Sequence, residues 1–286
     1  MVRRPISLLL CLAMSIAGCA NHTQELYANA KREHRIPVVF DTDSYRIQAV
    51  LPQVRTEHLR IYIEGDGKAW ATKYQPSTDP TPTVPLVSKL AAADPAPSAY
   101  LARPCQYISS DRCNNHVWTD RRFSREAVAS VSKAVDQAKN STGAATIDLV
   151  GYSGGGALAL LIAAQRDDVT SVQTLAGNLT PAGWVRQQGL SPLQDALEPA
   201  DFAQALRHIP QRHLVGGRDK TIPPSLAAQY AASFGHSNCL QIVSVNASHE
   251  DGWQSAWATY RDTSINCGTT SELPNVDGHD QQLSGP

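Results

Sequence analysis

"TIDLVGYSGGGALALLIA" (146–163) passes from a run of β-branched residues and leucine into an alanine- and leucine-rich run, with a serine set among glycines at the change. The first part reads as a strand over 146–150, and the second opens a helix over 155–166. A GxSxG pattern alone says little, because small residues recur in loops. Its position at a strand-to-helix junction gives it meaning. A serine there sits in a strained turn with its hydroxyl presented, and Gly151 and Gly155 let strand and helix approach closely. The rival reading is a glycine-rich turn that holds phosphate at a helix N-terminus. This stretch has neither the GxGxxG spacing nor the P-loop lysine of such a turn. Ser153 is therefore the candidate nucleophile.

Outward from this junction, strand-like and helix-like segments alternate. Strands are expected at 45–51, 59–64, 98–102, 169–175, 211–215 and 239–245. Helices are expected at 84–93, at 124–139 with Ser124 as N-cap, at 224–234 and at 251–261. Residues 71–83, rich in Thr and Pro, read as a loop, and 178–207 as a variable stretch. The alternation predicts an α/β fold with a mostly parallel central sheet covered by helices on both faces. With 286 residues, 42% of them hydrophobic, the chain can bury one large core, and nothing forces a second domain. A formal net charge of -1 supplies no basic surface for a polyanion, so nucleic acid is excluded as a partner.

A serine nucleophile needs a base, and the base an orienting carboxylate. In a parallel sheet of this kind both come from loops at the carboxyl ends of later strands, acid before histidine. Strand 211–215 runs into Gly216-Gly217-Arg218-Asp219, and strand 239–245 into Asn246-Ala247-Ser248-His249. Asp219 and His249 thus complete the candidate triad. His116 lies upstream of the serine, His208 and His213 flank or begin a strand, and His236 precedes one. Asp195 and Asp201 fall in the variable stretch, and Asp251 is too near His249 in sequence. For an oxyanion hole, one donor is the backbone N–H of Gly154. The second is expected in Glu64-Gly65-Asp66-Gly67, after the strand ending at Glu64. The N–H of Asp66 is the choice and that of Gly67 the alternate, because flanking glycines free the backbone to turn.

Through Gly-Tyr-Ser153-Gly-Gly, Gly-Gly-Arg-Asp219, Ser-His249 and the Gly-Asp-Gly loop, residues 36–262 resemble the α/β-hydrolase superfamily. The chain is also similar to a set of bacterial α/β-hydrolase lipoproteins, with Ala-Arg-Pro-Cys105 and Trp118-Thr-Asp-Arg-Arg-Phe123 as shared features. The resemblance implies hydrolysis of a carboxylic ester through an acyl-enzyme, without metal or cofactor, on a small acyl ester or lipid-like substrate. A serine peptidase or amidase on the same fold is the alternative, and a catalytically silent binding lipoprotein is the reading from another class. One departure is Glu64-Gly65, where many members have His-Gly. A carboxylate there is available as a buried partner for Arg121 or Arg122. Trp184, Leu190, Leu193, Leu197 and Phe202 are candidates to line an acyl pocket, and Asn178 to face the site.

At the N-terminus, Arg3 and Arg4 precede an apolar run from Ile6 to Ala17, too short to span a bilayer but suited to a signal peptide. Ile16-Ala17-Gly18-Cys19 resembles the lipobox of bacterial lipoproteins. That resemblance implies a signal peptide over 1–18, acyl chains on Cys19 and a membrane-anchored envelope protein. Ala20 in place of aspartate implies the outer membrane. The alternative is an ordinary cleaved signal peptide. Residues 19–35 are polar and read as a tether, 36–264 as the hydrolase domain and 265–286 as a disordered tail. Of the remaining cysteines, Cys105, Cys113, Cys239 and Cys267 allow three pairings. Proximity favours Cys105 with Cys113 and Cys239 with Cys267, against free buried thiols or, with no CxxC pair, a zinc site.

Overall fold

The structure, a computed structural model, describes residues 17–235 and 239–267, with side chains from residue 22 onward. Its strands are β1 (Arg35–Asp41), β2 (Arg46–Pro52), β3 (His58–Ile63), β4 (Ser98–Leu101), β5 (Thr146–Tyr152), β6 (Val169–Leu175), β7 (Gln211–Gly216) and β8 (Leu240–Val245). They form one sheet in the order β1-β2-β4-β3-β5-β6-β7-β8. β2 runs antiparallel to both of its neighbours, and β3 to β8 and β4 are mutually parallel. The helices are α1 (Ala17–Arg32), α2 (Leu86–Ala92), α3 (Asn115–Trp118), α4 (Arg125–Thr142), α5 (Gly154–Ala163), α6 (Pro181–Gln187), α7 (Ala203–Leu206), α8 (Pro224–Ala232) and α9 (Trp253–Tyr260).

Buried side chains alternate along the strands because successive residues point to opposite faces of a sheet. Leu59, Ile61 and Ile63 of β3 pack with α4, α5 and α8 in one core, whereas Tyr62 packs with α1, α2 and α9 in the other. The prediction of a mostly parallel sheet covered on both faces is met. α5 is buried along its whole length, as a helix that is hydrophobic all round should be. α4 begins at Ser124, whose Oγ accepts the Ala127 N–H at 3.3 Å. It ends at Gly143, which takes the left-handed conformation at φ 77° and donates to the Lys139 carbonyl.

Two segments differ from expectation. Residues 19–35, read as a polar tether, fold instead into α1 and the start of β1. Leu26 and Ala30, four residues apart on one helix face, are buried against the sheet. The Tyr27 hydroxyl donates to Gln48 at 2.9 Å, and Thr23 Oγ1 donates to the Tyr107 carbonyl at 3.1 Å. Two apolar contacts on an otherwise polar helix leave too weak a periodicity to read. The antiparallel edge strand β1 was also not foreseen. Pro37 interrupts its pattern, yet an edge strand tolerates a residue with no amide to donate. The expected signal peptide, 1–18, lies almost wholly outside the described residues, and the expected tail lies outside them beyond Cys267.

Disulfides join Cys105 to Cys113 and Cys239 to Cys267, the pairing that sequence proximity favours. The second ties the chain beyond α9 to the start of β8. Arg212 reinforces the same junction by donating to the carbonyls of Tyr260, Thr263 and Ser264.

Candidate active site

Ser153 stands between β5 and α5 at φ 50° and ψ -122°, a conformation that L-residues other than glycine rarely adopt. The flanking glycines are required by contact. A Cβ on Gly155 would overlap the carbonyl oxygens of Ile63 and Glu64 at the end of β3, and one on Gly151 would overlap the Gly155 carbonyl. The strand-to-helix turn therefore closes only on glycine, and it sets Ser153 beside the loop that follows β3.

His249 and Asp219 arrive from the loops after β8 and β7. His249 Nε2 lies 3.1 Å from Ser153 Oγ, and its Nδ1 lies 2.8 Å from Asp219 Oδ2. The Asp219 side chain is fully buried. Its Oδ1 accepts the N–H groups of Thr221 and Ile222, each at 2.8 Å, which leaves Oδ2 for the imidazole. Two residues that sequence reading missed hold the histidine loop. The Tyr152 hydroxyl and the Trp253 indole N–H both donate to the His249 carbonyl, at 2.7 and 2.8 Å. Tyr152 directly precedes the serine, so one strand end positions both nucleophile and base.

The loop over 64–67 packs on the nucleophile, and a Cβ on Gly65 would sit 3.2 Å from Ser153 Cβ. The N–H groups of Gly154 and Asp66 have no hydrogen-bond partner among the described residues. The Asp66 carboxylate lies over Gly154, paired with Arg103 and, at 3.2 Å, with Arg122. Burial opposes the ionisation of Asp66, but the two guanidinium groups outweigh it and hold the carboxyl below its usual value. Glu64 does not meet either expected arginine: Arg122 pairs with Asp66, and Arg121 with Asp195 at 3.1 Å. Instead, Glu64 Oε1 accepts the Gly65 N–H and Oε2 accepts the Tyr100 hydroxyl at 2.8 Å.

At 3% exposed, the Glu64 carboxyl is pushed by burial from 4.5 up to about 7, against the opposing pull of Gly65, Tyr100 and Arg103. The folded chain thus keeps a proton that the unfolded chain releases, and its contribution to stability is fully present below about pH 4.5. It is lost as pH rises to about 7 and beyond, and amounts to about 3 kcal/mol at 1.36 kcal/mol per pH unit. Glu64→Gln mimics the protonated side chain. Urea unfolding of both proteins from pH 4.5 to 8 is expected to show the variant gaining on the parent as pH rises; parallel curves would contradict this.

A cleft of about 330 Å³ opens over Ser153 and His249, lined by Asp66, Trp70, Val84, Arg122, Trp184 and Ile222 among others. Of the residues expected to line an acyl pocket, only Trp184 borders it. Leu193, Leu197 and Phe202 pack against the core, and Leu190 is partly exposed away from the cleft. Asn178 is buried, and its backbone N–H donates to the Ser153 carbonyl at 2.9 Å, so it supports the turn and does not border the cleft. The wall opposite is built by residues 66–70 and 82–86, on either side of the loop and at the start of the expected helix. His213 is buried against Tyr230 and Thr174, with burial lowering its pKa to about 3, and His116 pairs with Asp120 on the surface. His236 lies outside the described residues.

No family model and no curated protein matches the chain. Solved structures do. An esterase from Pyrococcus furiosus superposes with a TM-score of 0.59 at 11% identity, covering 81% of this chain and 91% of its own. Est1E from Butyrivibrio proteoclasticus gives 0.54 at 16% identity over 78% and 94%. An acylaminoacyl peptidase from Pyrococcus horikoshii gives 0.54 at 12% identity, over 75% of this chain and 37% of the peptidase. With this strand order, and a strand-to-helix turn at the end of β5, the chain has the α/β-hydrolase fold.

Proposed function

We propose that the protein is a serine hydrolase that cleaves carboxylic esters through an acyl-enzyme. The observation that carries the reading is the hydrogen-bonded series Ser153, His249, Asp219, with the serine held at positive φ on the strand-to-helix turn. In the first half-reaction His249 takes the Ser153 proton as Oγ bonds to the ester carbonyl carbon. The bond to the alcohol then breaks, and the alcohol leaves with that proton. Water repeats the sequence on the acyl-enzyme, releasing the acid and restoring Ser153. The backbone N–H groups of Gly154 and Asp66, which have no other partner among the described residues, are assigned to the oxyanion. Asp219 stabilises the imidazolium and fixes its orientation.

A fluorophosphonate probe should label the wild type and not Ser153→Ala. Equal labelling would refute the nucleophile, and no labelling of either would favour a silent binding protein. Esters and amides differ in leaving group and not in this machinery, and the fold is shared with proteins named as esterases and as a peptidase. Turnover of p-nitrophenyl esters against aminoacyl amides decides between them, and esters are expected to be the better substrates.

The same reading places the protein in a bacterial envelope, anchored through acyl chains on Cys19 and acting on a small or lipid-like ester. It is supported by the lipobox-like Ile16-Ala17-Gly18-Cys19. Among the described residues no helix is long and apolar enough to cross a membrane. Metabolic labelling with a palmitate analogue should mark the wild type and be lost in Cys19→Ala; label that persists there would count against the anchor.

A further inference from the structure

Arg122 brings to the cleft a guanidinium group whose hydrogen-bonding capacity is only partly used. The residue is 3% exposed. Its Nη1 donates to the Thr119 carbonyl at 2.6 Å. Its Nε lies 3.2 Å from Asp66 Oδ2 as an ion pair, but neither Nε nor Nη2 has a hydrogen-bond partner among the described residues. The group lies over the rings of Phe123 and Trp184, 5.3 and 5.0 Å from their centroids, so its orientation is fixed by packing. Arg122, Trp184, Ser153 and His249 border one cleft, and Asp66 bridges Arg122 to the residue after the nucleophile.

The charge count around it is uneven. Arg103 also pairs with Asp66, and its Nη2 donates to the Arg122 carbonyl at 2.6 Å, so two cations share one carboxylate. The neighbouring Glu64 has both oxygens engaged by Gly65 and Tyr100, and Glu250 lies exposed at the rim. Leaving a buried charged donor without an acceptor is costly. A guanidinium edge is a geometric match for a carboxylate.

We infer that the preferred substrates are esters that carry a carboxylate, which pairs with the Arg122 guanidinium in the cleft wall while Ser153 attacks the scissile carbonyl. This rests on the serine hydrolase reading and adds the substrate class. The carboxylate can belong to the acyl part, as in a half-ester of a dicarboxylic acid, or to the alcohol part, as in an acylated hydroxy acid.

The test compares kcat/KM for p-nitrophenyl half-esters of four- to six-carbon dicarboxylic acids with the same compounds capped as methyl esters. A second arm compares acetylated hydroxybenzoates with their methyl esters. In at least one arm the wild type is expected to prefer the anionic member by about thirtyfold or more, a preference that salt weakens. The ratio should collapse towards one in Arg122→Gln and be partly kept in Arg122→Lys. If these variants fail to fold, the wild-type ratio and its salt dependence decide alone. Hydrolysis of the neutral members with no anionic preference in either arm overturns this inference and leaves the hydrolase reading standing. No hydrolysis of any member, with no fluorophosphonate labelling, overturns both.

Discussion

Ser153→Ala and His249→Ala are each expected to lower kcat for an ester by about 10⁵-fold, and the double variant by no more than either alone, because the two act as one unit. Asp219→Ala should cost about 10⁴-fold. The imidazole would lose its acceptor, and the N–H groups of Thr221 and Ile222 theirs. Ester hydrolysis followed with purified variants, alongside thermal melts, checks this. Activity within tenfold of wild type in Ser153→Ala would remove the nucleophile assignment. A companion variant separates geometry from chemistry. Ser153→Gly should be just as inactive yet melt higher, because glycine relieves a backbone conformation that costs about 1–3 kcal/mol at φ 50° and ψ -122°.

Gly155→Ala should be among the most damaging single methyls in the molecule. The added Cβ meets the carbonyl oxygens of Ile63 and Glu64, and these belong to backbone that ends a central strand and cannot rotate aside. Relief requires α5 and the end of β3 to separate. The expected loss is about 3 kcal/mol or more in urea unfolding, at the upper end of overpacking costs. Moving α5 also shifts the Gly154 N–H against the Asp66 loop, and a displacement near 1 Å costs about 10²-fold in rate. Gly189→Ala is the control. Gly189 is at φ 62° and a Cβ added there meets nothing within 4 Å among the described residues, so the change should cost only the left-handed strain of about 1–2 kcal/mol and leave kcat intact. If Gly155→Ala unfolds like the wild type, the close approach is not required.

The parts of this molecule readable in sequence are those with a periodic or positional signature. Ser153, Asp219 and His249 lie within four residues of the ends of β5, β7 and β8, and the strands between them are regular enough to count, so the meeting of these three side chains was legible from strand ends. The arginine pair on Asp66 could not. Arg103 and Arg122 reach it from loops 37 and 56 residues further along, and nothing in spacing signals a contact between irregular segments. Residues 178–207 hold large apolar side chains, the composition of an acyl pocket. Most of these cover the core, and the opposite wall comes from Asp66 to Trp70 and Pro82 to Leu86, at the two ends of the Thr- and Pro-rich loop. Glu64 was legible as an oddity. Its true partner, Tyr100, sits one strand over on β4, where only the sheet order reveals it.

Helix α1 bears on how such an enzyme would meet a bilayer. A free chain of 17 residues would let the body wander about 20 Å from a lipid on Cys19, were one attached. A docked helix allows only about 10 Å from Cys19 to the buried Leu26, at 1.5 Å per residue. Thr23, four residues after Cys19, is tied to Tyr107, and its neighbour Gln106 donates to the Gly65 carbonyl in the loop beside Ser153. An acyl group on Cys19 would therefore moor the catalytic end of the sheet closest to the membrane. Esters leaving the bilayer surface would reach the serine without the protein having to turn.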